Sequence, residues 1–257
     1  MYRSYRLRLL ALSALLCSLP FLHLGSQDVV KKARVLIITG NDVPAHDWRA
    51  TTPVTRAILE GAGLFEVFVS EEPSVLETSA LSKYDVVLLN YRNPAAEKLS
   101  HAARENLISF VKSGKGLVAV HFAISAWGDW PEFQKLVGRT WVGKKEAKEG
   151  LASGHGPRGA FKVTLKAKDH PILRGLSDFE TDDELYARLA GNTPIEVLAT
   201  AHSADFSKSD EPMAWTLRYG EGRVHVNVLG HDARARENPS FKKLLVQGCA
   251  WAARIVQ

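Results

Sequence analysis

Three histidines stand where an α/β chain would bring chemistry together. His46 lies in Ala45-His46-Asp47-Trp48, in the loop after the first apolar run. His121 directly follows the apolar run 116–120. His231, in Leu229-Gly230-His231-Asp232, follows the strand-like stretch 223–228. Open α/β sheets bind their ligands beyond the carboxyl ends of the strands. Residues far apart in sequence therefore meet there. Two or three neutral imidazoles with a carboxylate suit zinc or another divalent transition metal. Without a metal, the same groups can act as general acid and base. Plainer uses exist for each: His46 can hold its loop by hydrogen bonds, and His121 can be a satisfied core residue beneath a turn. His170 precedes Pro171 and reads as a turn residue, while His101, His202 and His225 read as surface or structural.

The elements that would position these residues alternate. Residues 34–39 (RVLIIT) form a near-continuous apolar run, as expected of a strand covered on both faces. Gly40-Asn41-Asp42 ends it as a loop. Thr52-Pro53 offers an N-cap and a first helical position, followed by Val54, Ala57, Ile58 and Gly61 at helical spacing. Residues 65–70 and 85–90 read as two more strands. Ser100 opens a helix with Ala103, Leu107, Phe110 and Val111 on one face. This pattern predicts an α/β fold with a doubly wound, mostly parallel sheet. The second half adds antiparallel signals: strands over 161–165 and 196–200, and a hairpin turning at Tyr219-Gly220-Glu221-Gly222. No helix follows Gly220-x-Gly222, so it is no dinucleotide fingerprint and no nucleotide cofactor is expected. Residues 239–255 form a closing amphipathic helix.

Charge and cysteine usage narrow the setting. Arg3, Arg6 and Arg8 precede an apolar stretch over 9–22, with Gly25 and Ser26 after it. Residues 1–26 read as a signal peptide cleaved after Ser26, and 27–33 as a linker. Leu24 fits the cleavage site poorly, so an uncleaved N-terminal anchor is the one membrane contact expected. Without that segment the net charge drops from +5 to +2, which supports no nucleic-acid partner. Cys17 would leave with the signal, and Cys249 would then be a lone core thiol. An exported, disulfide-free protein suggests the bacterial envelope, periplasmic or secreted.

Several ordered segments resemble the trehalose-utilisation (ThuA-like) family. They are His46-Asp47-Trp48-Arg49, the stretch from Gly116 through His121 to Ala123, His170-Pro171, Asp183-Glu184-Leu185-Tyr186, and residues 212–232 ending in Gly230-His231-Asp232. The likeness runs from about residue 34 to the C-terminal helix, giving one domain over 34–257. It implies a flavodoxin-like, class I glutamine amidotransferase-like three-layer sandwich, with antiparallel strands added in the C-terminal half. In those amidotransferases a cysteine sits at the sharp turn after a central strand, with a His-x-Glu after a late strand. Here His121 takes the cysteine-like position, and Ala233 stands where the acid would follow His231. Without a thiolate no thioester forms, so no glutaminase activity is expected.

Glu184 supplies the expected carboxylate, though Thr181-x-x-Glu184 also fits a helix capping box. His155, in Gly154-His155-Gly156-Pro157, sits on a loop that could fold over the site as a ligand or acid–base group. The expected set is therefore His121, His231 and Glu184 for catalysis, and His46, His121, His155 and His231 for a zinc or manganese ion. Trp48, Arg49, Asn90, Arg92, Trp141, Tyr186 and Asp232 are expected to bind substrate. Aromatic faces suit sugar rings, although most of Trp48, Trp127, Trp130 and Trp141 would pack beneath loops. The family resemblance implies a small-molecule carbohydrate substrate and work beside dehydrogenases that make 3-keto sugars. The expected activity is a lyase or hydrolase on 3-keto glycosides. A non-catalytic sugar-binding accessory protein is the rival, and a serine hydrolase ranks last because neither Ser125 nor Ser153 sits in Gly-x-Ser-x-Gly. A homo-oligomer is left open.

Overall fold

The computed structural model describes residues 1, 31–93 and 99–256. The expected signal segment and Cys17 lie outside the described residues. Among the described residues, no helix is long and apolar enough to cross a membrane.

The chain runs through β1 (Ala33–Ile38), α1 (Trp48–Gly61), β2 (Phe65–Ser70), β3 (Val86–Leu89), α2 (His101–Lys112) and β4 (Gly116–Val120). It continues through α3 (Pro131–Val137), β5 (Gly154–His155), β6 (Gly159–Leu165), β7 (Phe179–Asp183) and β8 (Tyr186–Ala187). The last elements are β9 (Glu196–His202), β10 (Asp210–Tyr219), β11 (Gly222–Asn227), α4 (Ala233–Arg236) and α5 (Pro239–Ala252).

Nine strands form one sheet in the order β2-β1-β3-β4-β11-β10-β9-β6-β7. The first five are mutually parallel. Their order is the flavodoxin-like 2-1-3-4-5, with β11 in fifth place. The remaining pairs are antiparallel, beginning with the β10–β11 hairpin. The mixed sheet read from the sequence is therefore present. Helices cover both faces. A Cβ on Gly222 would meet Val111 of α2, whereas one on Gly248 of α5 would meet the ring of His225. Residues 222 and 225 point to opposite faces of β11, so α2 and α5 lie on opposite sides. That makes three layers.

The start of α1 differs from expectation. Asp47 is the N-cap, its carboxylate accepting from Ala50 N at 3.1 Å, and Pro53 lies inside the helix. Thr52 is no cap because its hydroxyl is used elsewhere. It bonds Thr39 Oγ1 at 2.7 Å and accepts from Asn90 Nδ2 at 2.9 Å. Burial of these polar groups is tolerable because each finds a partner. Arg236 is also without exposed surface. It donates to Gly230 O at 2.9 Å, Thr55 Oγ1 at 2.6 Å and Asn90 Oδ1 at 2.8 Å. Burial pulls its pKa down to about 9, so it remains charged at neutral pH. The network ties β3 and α1 to the turn before His231. The capping box at Thr181 is also absent, since 179–183 is strand.

His225 is wholly buried, with Nδ1 3.2 Å from Trp215 O and Nε2 without a hydrogen-bond partner. Burial pulls its pKa down to about 3. The unfolded chain takes up this proton below about pH 6.5 and the folded chain does not. Stability should therefore fall as pH drops below that point, by about 2 kcal/mol between pH 6.5 and 5 from this group. Urea unfolding at the two pH values should show a shallower loss in His225→Phe. An equal loss in both proteins would refute the account.

Candidate metal-binding and catalytic site

The carboxyl ends of β1, β4 and β11 deliver the three histidines. His46 follows β1 in a tight turn closed by its own N–H to Val43 O at 2.8 Å. His121 is the first residue after β4 and has φ 50°. A β-strand that breaks directly into left-handed backbone at a non-glycine residue costs about 1–3 kcal/mol. The strain turns a fully buried imidazole toward the strand ends. His231 follows β11 after Gly230 (φ 91°), where a Cβ would strike the ring of Phe241.

The three rings form a nearly equilateral triangle. Centroids are 5.1 Å apart for His46–His121, 5.0 Å for His46–His231 and 5.3 Å for His121–His231. All three pairs meet edge to face, at 71–74°. His121 Nδ1 donates to Val228 O at 2.7 Å, which leaves Nε2 free to face the cluster. His231 Nδ1 lies 3.3 Å from that Nε2. Two nitrogens on a tetrahedral zinc are roughly 3.3 Å apart. His46 stacks on Phe122 at 4.5 Å, and its buried Nδ1 has no hydrogen-bond partner. One ligand atom from each histidine lies within 4.8 Å of the others. These residues fit a divalent cation.

Glu184 closes the group. Its Oε2 is 3.0 Å from His231 Nδ1 and 3.5 Å from His121 Nε2, and Oε1 is 3.8 Å from His155 Nε2. Burial pushes the Glu184 carboxyl up, but the neighbouring His121 and His231 outweigh it and hold it well below the usual range. The bond to Glu184 raises His231 against its own burial. Burial, then the neighbouring imidazoles, pull His46 down to about 3 and keep it neutral.

Of the three clustered histidines, His46 lines a cavity of about 170 Å³, together with Ala45, Arg92, Phe122, Ser125, Trp141, His155, Glu184 and Tyr186. A larger groove of about 950 Å³ lies between α1 and α5, with a mainly apolar wall that includes Val54, Ile58 and Val246 and a charged rim of Glu237, Lys242 and Lys243. Arg92, Trp141, Tyr186 and His155 of the expected residues thus meet at one cavity. His155 reaches Glu184 from the cavity wall and lies outside the cluster of His46, His121 and His231. Asn90 is fully buried, and its amide bonds Thr51, Thr52 and Arg236 inside the fold. Trp48 and Arg49 both engage Asp42, with Arg49 stacked over the indole, away from the cavity lining. Asp232 caps α4 through Ala235 N at 2.7 Å and pairs with Arg158.

Asp183 was not singled out by its sequence context. It is buried, and it accepts from Gly230 N at 2.6 Å, His231 N at 3.0 Å and Glu184 N at 2.9 Å. The signal available was the pair Asp182-Asp183 at the end of a strand, where alternation must turn the two to opposite faces.

Zinc titrated into chelator-treated protein should bind with one-to-one stoichiometry. His121→Ala should weaken it at least about 100-fold and His155→Ala by no more than about threefold, because only the first removes a ligand. Equal loss in both variants, read by calorimetry, would contradict this division of roles.

Comparisons with known proteins agree with the fold. A ThuA-like protein from Parabacteroides merdae is 27% identical, covering 87% of this chain and 90% of its own, with TM-score 0.76. A second, from Bacteroides uniformis, is 18% identical over 86% and 91%, with TM-score 0.67. A cold-adapted β-galactosidase from Rahnella shares the fold over 88% of this chain and 32% of its own, at 15% identity and TM-score 0.56. No curated protein matches the chain. The ThuA family, described as trehalose utilisation, matches residues 34–252, and that description points to a carbohydrate-related role. The chain belongs to the ThuA family.

Proposed function

We propose that the protein is a periplasmic or secreted lyase or hydrolase that cleaves oxidised (3-keto) glycosides at the three-histidine site. The observation that carries this reading is the Glu184 carboxyl group beside three converging imidazoles, on the wall of a cavity with aromatic sides. A ketone at C3 acidifies the proton on C2. Glu184 is placed to take that proton, since its carboxylate lines the cavity. As the proton leaves C2, the C1–O bond breaks and a double bond forms between C1 and C2. The electron pair departs with the aglycone oxygen, which needs a proton. His155 stands at the cavity wall, partly exposed and 3.8 Å from Glu184, positioned to carry a proton between the carboxylate and the leaving group. Addition of water across the new double bond completes hydrolysis. Burial holds the Tyr186 phenol far above its usual pKa, so it remains a hydrogen-bond donor at the wall. A divalent cation held by His46, His121 and His231 would polarise the ketone and stabilise the charge that develops on its oxygen. The N-terminal arginines and the apolar stretch behind them support the envelope location.

The protein should release glucose-ring products from 3-keto-trehalose, followed by chromatography. Glu184→Gln and His121→Ala should each lose at least about 100-fold in kcat/KM, the scale of one acid–base group. Full activity in either variant, or saturable binding with no turnover by the unmodified protein, would overturn the proposal.

A further inference from the structure

We infer that the protein has a second binding site, for a tetrahedral oxyanion of the phosphate type, at the end of the sheet opposite the histidine cluster. The site is a recess whose lining includes His170, Glu196, Thr216, Arg218, Arg223 and Trp251. Arg223 pairs in register with Gly116, where β4 begins, whereas His121 and His231 follow the far ends of β4 and β11.

Two arginines meet there. Arg218 of β10 and Arg223 of β11 are directly opposed in the hairpin. Cross-strand partners share a face, so both leave the sheet on the α5 side, as His225 does. Like charges placed directly opposite are destabilising. Among the described residues neither guanidinium pairs with a carboxylate. Glu196, the acid of the recess, accepts instead from Thr216 Oγ1 at 3.5 Å and stands 4.0 Å from His170 Nε2. Arg223 gives Nη1 to Trp251 O at 2.9 Å and Val256 O at 3.2 Å, and its guanidinium lies 5.1 Å over the Trp251 ring. These contacts fix the group and leave Nη2 without a protein partner among the described residues. Burial, then the charges of Arg254 and Arg218, lower the Arg223 pKa.

His170 adds a donor. Its Nδ1 accepts from Ile172 N at 3.2 Å, so the neutral ring has its proton on Nε2. Burial lowers its pKa and keeps the ring neutral at pH 7. The side chain is 8% exposed and packs on Trp251, with centroids 5.2 Å apart. The recess thus offers N–H donors from three segments of chain. It is net positive, since Glu196 offsets only one of the two arginines. A planar carboxylate is satisfied by one guanidinium fork. A tetrahedral oxyanion has oxygens enough for both arginines and the imidazole, and its charge relieves the repulsion between Arg218 and Arg223. Inorganic phosphate and the phosphate of a lipid headgroup share this chemistry.

The test is calorimetry with inorganic phosphate on the chelator-treated full chain. Phosphate should bind one-to-one. Arg218→Gln should weaken it at least about tenfold, and Glu196→Gln should tighten it about threefold by removing a like charge. Arg218 is exposed, so its replacement leaves the fold intact. Arg92→Gln, at the histidine cavity, should change the affinity by less than about twofold, and acetate should bind at least about tenfold more weakly than phosphate. Competition by phosphatidylglycerol vesicles, and not by phosphatidylcholine vesicles, would support the site with a lipid headgroup as its source. Phosphate binding without such competition would support it with a free anion as its source. No phosphate binding, equal binding of acetate, weaker binding in Glu196→Gln, or a loss in Arg92→Gln matching that in Arg218→Gln would overturn the inference.

Discussion

One buried carboxylate holds the site together. Asp183 receives N–H groups from Gly230, His231 and its own neighbour Glu184. Two of these belong to the loop after β11 and one to the strand end of β7, which are at different parts of the sheet. A charge taken out of water survives only when its lone pairs are filled, so the loop and the strand end must stay where they are. His231 and Glu184 are then presented to each other at 3.0 Å as a consequence of backbone geometry. Arg236 secures the other side of the same turn by holding Gly230 O.

The remaining pieces use the ordinary properties of an open sheet. Parallel strands end on the same edge, and the loops that follow must pass over it. β4 lies between β3 and β11, so His121 emerges in the middle of that edge. Its left-handed backbone places the ring under Val228 O, and that carbonyl selects which nitrogen faces the cluster. Metal-binding imidazoles are commonly oriented through such a second hydrogen bond. The antiparallel half contributes the opposite wall. The two-residue β5–β8 ladder pairs His155 with Tyr186, and so brings a residue of the 140–158 excursion to the cavity.

Much of this was legible in the sequence because it depends on local signals. Unbroken apolar runs marked the buried strands, and residues just past their ends marked His46, His121 and His231. Resemblance to a known family then supplied the fold name. What stayed hidden depends on long-range pairing. Thr52-Pro53 reads as a helix start because nothing nearby shows that the threonine hydroxyl faces Thr39 and Asn90. Asn90 looks like a strand-end substrate contact until Arg236, 146 positions away, takes its carbonyl. Asp183 is one of three adjacent acids, and only the sheet shows which is buried. Trp48 carries a sugar-binding side chain at a strand-end loop, yet its indole nitrogen is committed to Asp42.

Cys249 has a consequence for how the protein meets its surroundings. It is the free cysteine of the described residues, without exposed surface, and burial raises its thiol well above the usual range. A thiol that rarely ionises and cannot be reached is a poor partner for exchange or oxidation. The described fold therefore contains no covalent cross-link to be made or lost. Once folded, the domain offers surrounding redox couples no accessible thiol among the described residues.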